Sequence, residues 1–165
     1  MYKKRRNINL KGILRWGMVF AWMLVIFMLS AQISSESDSL SSGITKFVLN
    51  LINGLFPRLE IEFSVFSHFV RKSAHFIAYL ILGILSLHAI DEEKNTKLTR
   101  FMKALLICVL YAMSDEFHQL YVPGRSGELK DVLLDSTGSL VGILGYFFIR
   151  YRAKKHAEYN RRIFK

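Results

Sequence analysis

The run Ser114-Asp115-Glu116-Phe117-His118-Gln119, followed at once by Tyr121-Val122-Pro123-Gly124-Arg125, closes a stretch of apolar residues long enough to enter a membrane. Two carboxylates, an imidazole, an amide and a guanidinium can do two kinds of chemistry there. As a binding set, Arg125 suits bidentate contact with a carboxylate or phosphate, while Asp115, Glu116 and Gln119 accept from amines and amides. As an acid–base set, adjacent carboxylates and a histidine can exchange protons, because two like charges side by side are costly. His75, His118 and Asp115 or Glu116 would also offer nitrogen and oxygen ligands, but no tight spacing such as H-E-x-x-H occurs, so neither a metal nor a cofactor is expected. A charge near a bilayer centre costs about 3 kcal/mol on insertion scales, so these groups must face a protein interior or a water-filled site.

Two more segments carry matching polar faces. His68, Lys72, His75 and Tyr79 are spaced by four, three and four residues, which at 3.6 residues per turn is one stripe of a helix, with Arg71 at its border. Asp131, Asp135, Gly138, Gly142 and Gly145 form a second stripe, charged at one end and glycine-lined below. Along the segment first described, Asp115, His118 and Gln119 share a side with Tyr111, and Glu116 lies about 100° round. Gly138-x-x-x-Gly142 permits close approach of a neighbouring backbone. Each charge also has a plainer explanation as half of an interhelical salt bridge, for instance Asp135 with Lys72 or Arg71. One bridge does not account for so many donors and acceptors at one level.

The elements that position these groups are helices. About 20 residues at 1.5 Å each cross roughly 30 Å of hydrocarbon, and four stretches qualify: 12–31, 67–90, 98–121 and 130–151. The expected fold is all-α, an integral membrane four-helix bundle with an amphipathic helix in the first outer loop. That helix, at about 44–56, has Ile44, Phe47, Val48, Leu51 and Leu55 on one face and Lys46, Asn50 and Asn53 on the other. Leu59 to Phe63 alternates apolar and acidic residues but is too short for a strand assignment. Pro123-Gly124 makes the third and fourth helices antiparallel neighbours. With Lys103 at one membrane edge, Asp115 is roughly 18 Å further along, within the opposite leaflet.

Composition narrows the class. The 165 residues are 52% hydrophobic, with the apolar residues in blocks, as in one membrane domain. The net charge of +10 comes from basic residues that flank those blocks, an orientation signal and not a nucleic-acid one. Of the 23 Lys and Arg, six precede or open the first helix, four lie between Lys94 and Lys103, and seven follow from Arg150. Both termini, the basic tails 1–11 and 152–165, are thus expected in the cytoplasm, and the membrane domain spans 12–151. The first block resembles a signal peptide in its basic start and small end, but the charge-free run from Trp16 to Ser35 favours a retained helix. Cys108, the single cysteine, rules out an intrachain disulfide and reads as a small buried residue.

Taken in order, Arg71-Lys72-x-x-His75-Phe76-x-x-Tyr79-x-x-Leu82-Gly83, then Ser114-Asp115-Glu116-x-His118-Gln119, then Pro123-Gly124-Arg125 with Asp131, Asp135 and Gly138, the chain resembles the VanZ-like family of bacterial membrane proteins. The resemblance runs from about Ser30 to Gly145. It implies a small multi-helix protein of the bacterial cytoplasmic membrane, in a family named for a member linked to teicoplanin resistance. It also implies a binding set of Lys72, His75, Tyr79, Asp115, Glu116, His118, Gln119, Arg125, Asp131 and Asp135, to which the stripes add Arg71.

The leading expectation is therefore an outward-facing polar site acting in cell-envelope function or glycopeptide resistance. Its partners would be the lipid bilayer and a lipid-linked cell-wall precursor or lipoglycopeptide. A second class is an enzyme acting on a lipid-linked substrate, with His75, Asp115, Glu116 and His118 as acid–base candidates. A salt-bridged bundle without a ligand is a third. A proton or ion path is disfavoured because comparable ionisable residues are absent from the other halves of the helices.

Overall fold

The computed structural model describes residues 10–31, 43, 46–52, 54, 62–90, 95–123, 125 and 127–163. The first nine residues, the serine-rich stretch after residue 31, Ile44, Leu55, the 59–61 alternation and Gly124 lie outside the described residues. Four long helices carry the described chain: α1 (Leu10–Ser30), α2 (Phe63–Ala89), α3 (Lys97–Gln119) and α4 (Leu129–Ile163). No strand occurs among the described residues.

These helices are built for an apolar solvent. In α1, Val19 and Ile26 are buried while Leu14, Phe20, Leu24 and Met28 face outward, so one face packs inside and the rest covers the molecule in hydrocarbon side chains. Three helices, α1, α2 and α4, are long and apolar enough to cross a bilayer, and the protein is a membrane protein. The fourth expected span, α3, falls short of that criterion because it carries charge near both ends.

The central element is α2, which packs against α1, α3 and α4. Its inner face is small or slender at the right places. Gly83 lies on the backbone of Ser139, Gly138 on the carbonyl of Phe76 and Gly142 on the carbonyl of Leu80, with no room for a Cβ at any of the three. Ser139 Oγ donates to the Tyr79 carbonyl at 3.1 Å across the same seam. The expected glycine stripe thus brings α2 and α4 into backbone contact, although Gly145 meets nothing. Trp22 Nε1 donates to the Ala78 carbonyl at 2.8 Å and Tyr111 Oη to the Met23 carbonyl at 2.6 Å, tying α1 to α2 and to α3.

Two features differ most from the sequence expectation. α4 runs to Ile163, twelve residues past 151. Hydropathy ends near Tyr151, but nothing there stops a helix: from Arg152 onward the chain is rich in Arg, Lys and Ala and has neither Gly nor Pro. In the first loop, residues 46–52 are helical. There Leu49 is buried while Phe47 and Leu51, members of the expected apolar face, are exposed. Apolar residues lie on both sides of this turn, so the face toward the protein is not the one that the spacing alone selects.

Candidate functional site

The chain direction alternates, so α1 and α3 end at the same end of the bundle where α2 and α4 begin. Thr96 caps α3 by accepting from the Thr99 backbone N–H at 3.2 Å, and the helix runs until Leu120 to Pro123 turn the chain into α4. The polar stripes of α2, α3 and α4 therefore meet around one cavity of about 80 Å³. Its lining includes Arg71, Lys72 and His75 from α2, Glu116 and Gln119 from α3, Arg125 from the turn, and Asp131 and Asp135 from α4.

The expected ion pairs are rearranged. Lys72 Nζ donates to Asp131 Oδ1 at 2.5 Å, so the lysine is engaged one helical turn above Asp135, which the sequence offered as its partner. Asp135, 2% exposed, has His75 instead, with Nδ1 at 4.0 Å from Oδ2. Arg71 Nη2 contacts His68 Nδ1 at 3.0 Å, and Arg125 Nη2 donates to the Leu29 carbonyl at the end of α1 at 3.2 Å. Glu116 Oε1 accepts from the Glu128 backbone N–H at 2.6 Å, which fixes the entry to α4.

Below the cavity, Asp115 is 3% exposed. Its Oδ2 accepts from Ser30 Oγ at 2.8 Å and from Tyr79 Oη at 3.3 Å, with the Gln119 amide beside it. Among the described residues, Asp115 Oδ1 and Asp135 Oδ1 have no hydrogen-bond partner. One ligand-type atom from each of His75, Asp115 and Asp135 lies within 4.8 Å of the other two. Each of the three comes from a different helix, and each belongs to one of the three polar stripes that the sequence places at a similar depth.

His118 does not line the cavity. Its ring lies 4.6 Å, centroid to centroid, from that of Phe27 on α1. Of the residues that the sequence grouped as acid–base or ligand partners, His75 and Asp115 come together with Asp135, Glu116 lines the cavity, and His118 lies apart from it. Three residues on from Asp115, His118 is offset by about 60° on the helix; its ring meets Phe27 of α1, while Asp115 is reached by both Ser30 of α1 and Tyr79 of α2. Tyr79 acts beneath the cavity through Asp115. Sequence reasoning assigned no site role to Ser30, which stands at the end of the first apolar block and at the start of the family resemblance, or to Glu128, which has no periodic signal. His68 was legible in the α2 stripe and lines the cavity.

A family model described as VanZ/LLP1 matches residues 16–150. Neither the comparison with curated proteins nor that with solved structures gave a match.

Proposed function

The chain belongs to the VanZ/LLP1 family, and from that membership and the cavity we propose that it binds an anionic group of a cell-envelope component at the outer face of the bacterial cytoplasmic membrane. In this reading α3 is a fourth span. Met102, Leu106, Leu110, Met113 and Phe117 face outward along it, while Arg100, Asp115 and Glu116 are buried, which is the pattern of a helix with lipid outside and polar groups within. The basic residues at the opposite ends of α1, α3 and α4 support placing both termini in the cytoplasm.

The observation that carries the reading is the cavity's lining. Arg71, Lys72 and Arg125 stand around a space of about 80 Å³, with carboxylates on the facing wall. Drug-sized pockets measure about 300–1,000 Å³. The space here accepts a phosphate or carboxylate and leaves the rest of the partner on the membrane surface. A lipid-linked cell-wall precursor or a lipoglycopeptide presents such a group at this depth, and interference with glycopeptide action follows from holding it there.

The test is a deletion strain titrated with teicoplanin-type drugs, together with binding of lipid-linked precursors to the purified protein. Lowered resistance on deletion, restored by the wild-type gene but not by Lys72→Met, is expected. Unchanged susceptibility combined with no precursor binding removes the proposal. A catalytic reading is favoured by one observation, the convergence of His75, Asp115 and Asp135 beside the cavity. Turnover of a lipid-phosphate substrate by the purified protein, lost in His75→Gln, would support it over simple binding.

A further inference from the structure

We infer that His75, Asp115 and Asp135 form a binding site for a single divalent transition-metal ion, of the zinc or manganese class, at the floor of the cavity. The inference stands on the packing of α2, α3 and α4 and does not depend on the envelope ligand.

Three observations carry it. One ligand-type atom from each residue lies within 4.8 Å of the other two. Four-coordinate ions bind imidazole nitrogen and carboxylate oxygen at about 2.0–2.2 Å, which requires ligand atoms somewhat more than about 3 Å apart, so closing the set takes small side-chain rotations. Next, the aspartates are 3% and 2% exposed, and each keeps one oxygen without a hydrogen-bond partner among the described residues. Buried carboxylates normally satisfy both oxygens, and a cation is one way to do so. Finally, the nearest cations on these walls are engaged elsewhere: Lys72 holds Asp131, and Arg125 reaches the Leu29 carbonyl.

The surroundings fit the assignment. Ser30 and Tyr79 both donate to Oδ2 of Asp115, orienting the carboxylate as outer hydrogen bonds orient metal ligands. A dication offsets the charge of two carboxylates beside a neutral imidazole. The mixed nitrogen and oxygen set favours zinc or manganese over calcium or magnesium, which prefer all-oxygen sites. Because His75 and Asp135 line the cavity, the remaining coordination positions open toward it.

The experiment uses the full chain, purified in detergent with any affinity tag removed. After chelator treatment the protein is dialysed against micromolar Zn²⁺ or Mn²⁺ and its metal content measured, and Co²⁺ loading is followed by visible absorption. About one equivalent per chain is expected in the wild type. His75→Gln and Asp135→Asn are expected to lower the affinity at least tenfold and to change the Co²⁺ spectrum, while Asp131→Asn retains the metal. Should a ligand variant fail to fold, Ser30→Ala and Tyr79→Phe keep the ligand set and are expected to weaken binding about tenfold at unchanged stoichiometry. A wild-type protein that takes up less than a tenth of an equivalent overturns the inference. So does binding that His75→Gln, Asp135→Asn, Ser30→Ala and Tyr79→Phe all leave unchanged.

Discussion

The two ends of the helix bundle both bury charge, but they treat it differently. At the end where α2 finishes and α3 begins, Arg100 is 5% exposed. Its Nη2 donates to the Leu87 carbonyl at 3.0 Å, and its guanidinium lies 6.0 Å from the Phe147 ring centroid. The donor meets a carbonyl near the end of α2, where helices leave acceptors without partners. His88 and Tyr146 add a contact of 3.3 Å nearby, and Lys103 donates to Asn95 at 2.8 Å. The cleft on this side is lined by Lys97, Arg100, Arg150 and Lys154 and, among the described residues, by no acidic one. At the other end, Asp115 and Asp135 are equally buried and each retains a carboxylate oxygen without a hydrogen-bond partner among the described residues. Arg100 Nε also has no hydrogen-bond partner among the described residues, but the rest of its guanidinium closes the end of α2 and lies by an aromatic ring, a structural use of charge. Two like charges with open acceptors beside a cavity hold nothing closed, and they cost stability that a structural role would not.

That contrast can be broken by substitution, read as the thermal unfolding midpoint of chelator-treated protein in detergent. The largest effect is expected from the seam that holds both ends in register. Gly142→Val drives a branched side chain into the Leu80 carbonyl and should cost about 3 kcal/mol, with a clear fall in the midpoint. Arg100→Met, which keeps most of the volume and leaves the Leu87 carbonyl without its donor, should cost about 2 kcal/mol. Ser30→Ala removes one donor to Asp115 and is expected to cost about 1 kcal/mol. Smallest on this scale is Asp135→Asn, which removes a buried charge and should leave the midpoint unchanged or raise it by the equivalent of up to about 1 kcal/mol. A fall in Asp135→Asn as large as that in Arg100→Met would end the distinction between the two ends, since both charges would then be structural.

Much of the scaffold was legible because membrane solvent imposes a length and a composition. The apolar blocks at 12–31, 67–90 and 130–151 correspond to α1, α2 and α4, each displaced by only a few residues at its start. The end of α4 was not legible from hydropathy, because the helix outlasts its apolar surface and only Gly or Pro would have marked its stop. The first loop failed differently. With apolar residues on both sides of the 46–52 turn, which side meets the protein is a matter of docking, and Leu49 took the buried place. For α3, the charges that make the segment chemically interesting are the same ones that keep it from reading as an unbroken apolar span.

The candidate site divides along the same line. Sequence by itself determined that Lys72, His75 and Tyr79 share a helical face, that Asp131 and Asp135 share another, and that Asp115 and Glu116 stand at the end of a third helix, since 3.6 residues per turn fixes faces within a helix. It could not determine partners between helices, which depend on rotation and depth of packing. Only the tertiary structure decided that Lys72 takes Asp131, that His118 turns to Phe27, and that Ser30 reaches Asp115. The backbone contact of Gly138 and Gly142 with α2 permits the close approach of α2 and α4 that puts His75 beside Asp135. Asp115 joins these two from α3, where Ser30 and Tyr79 hold it.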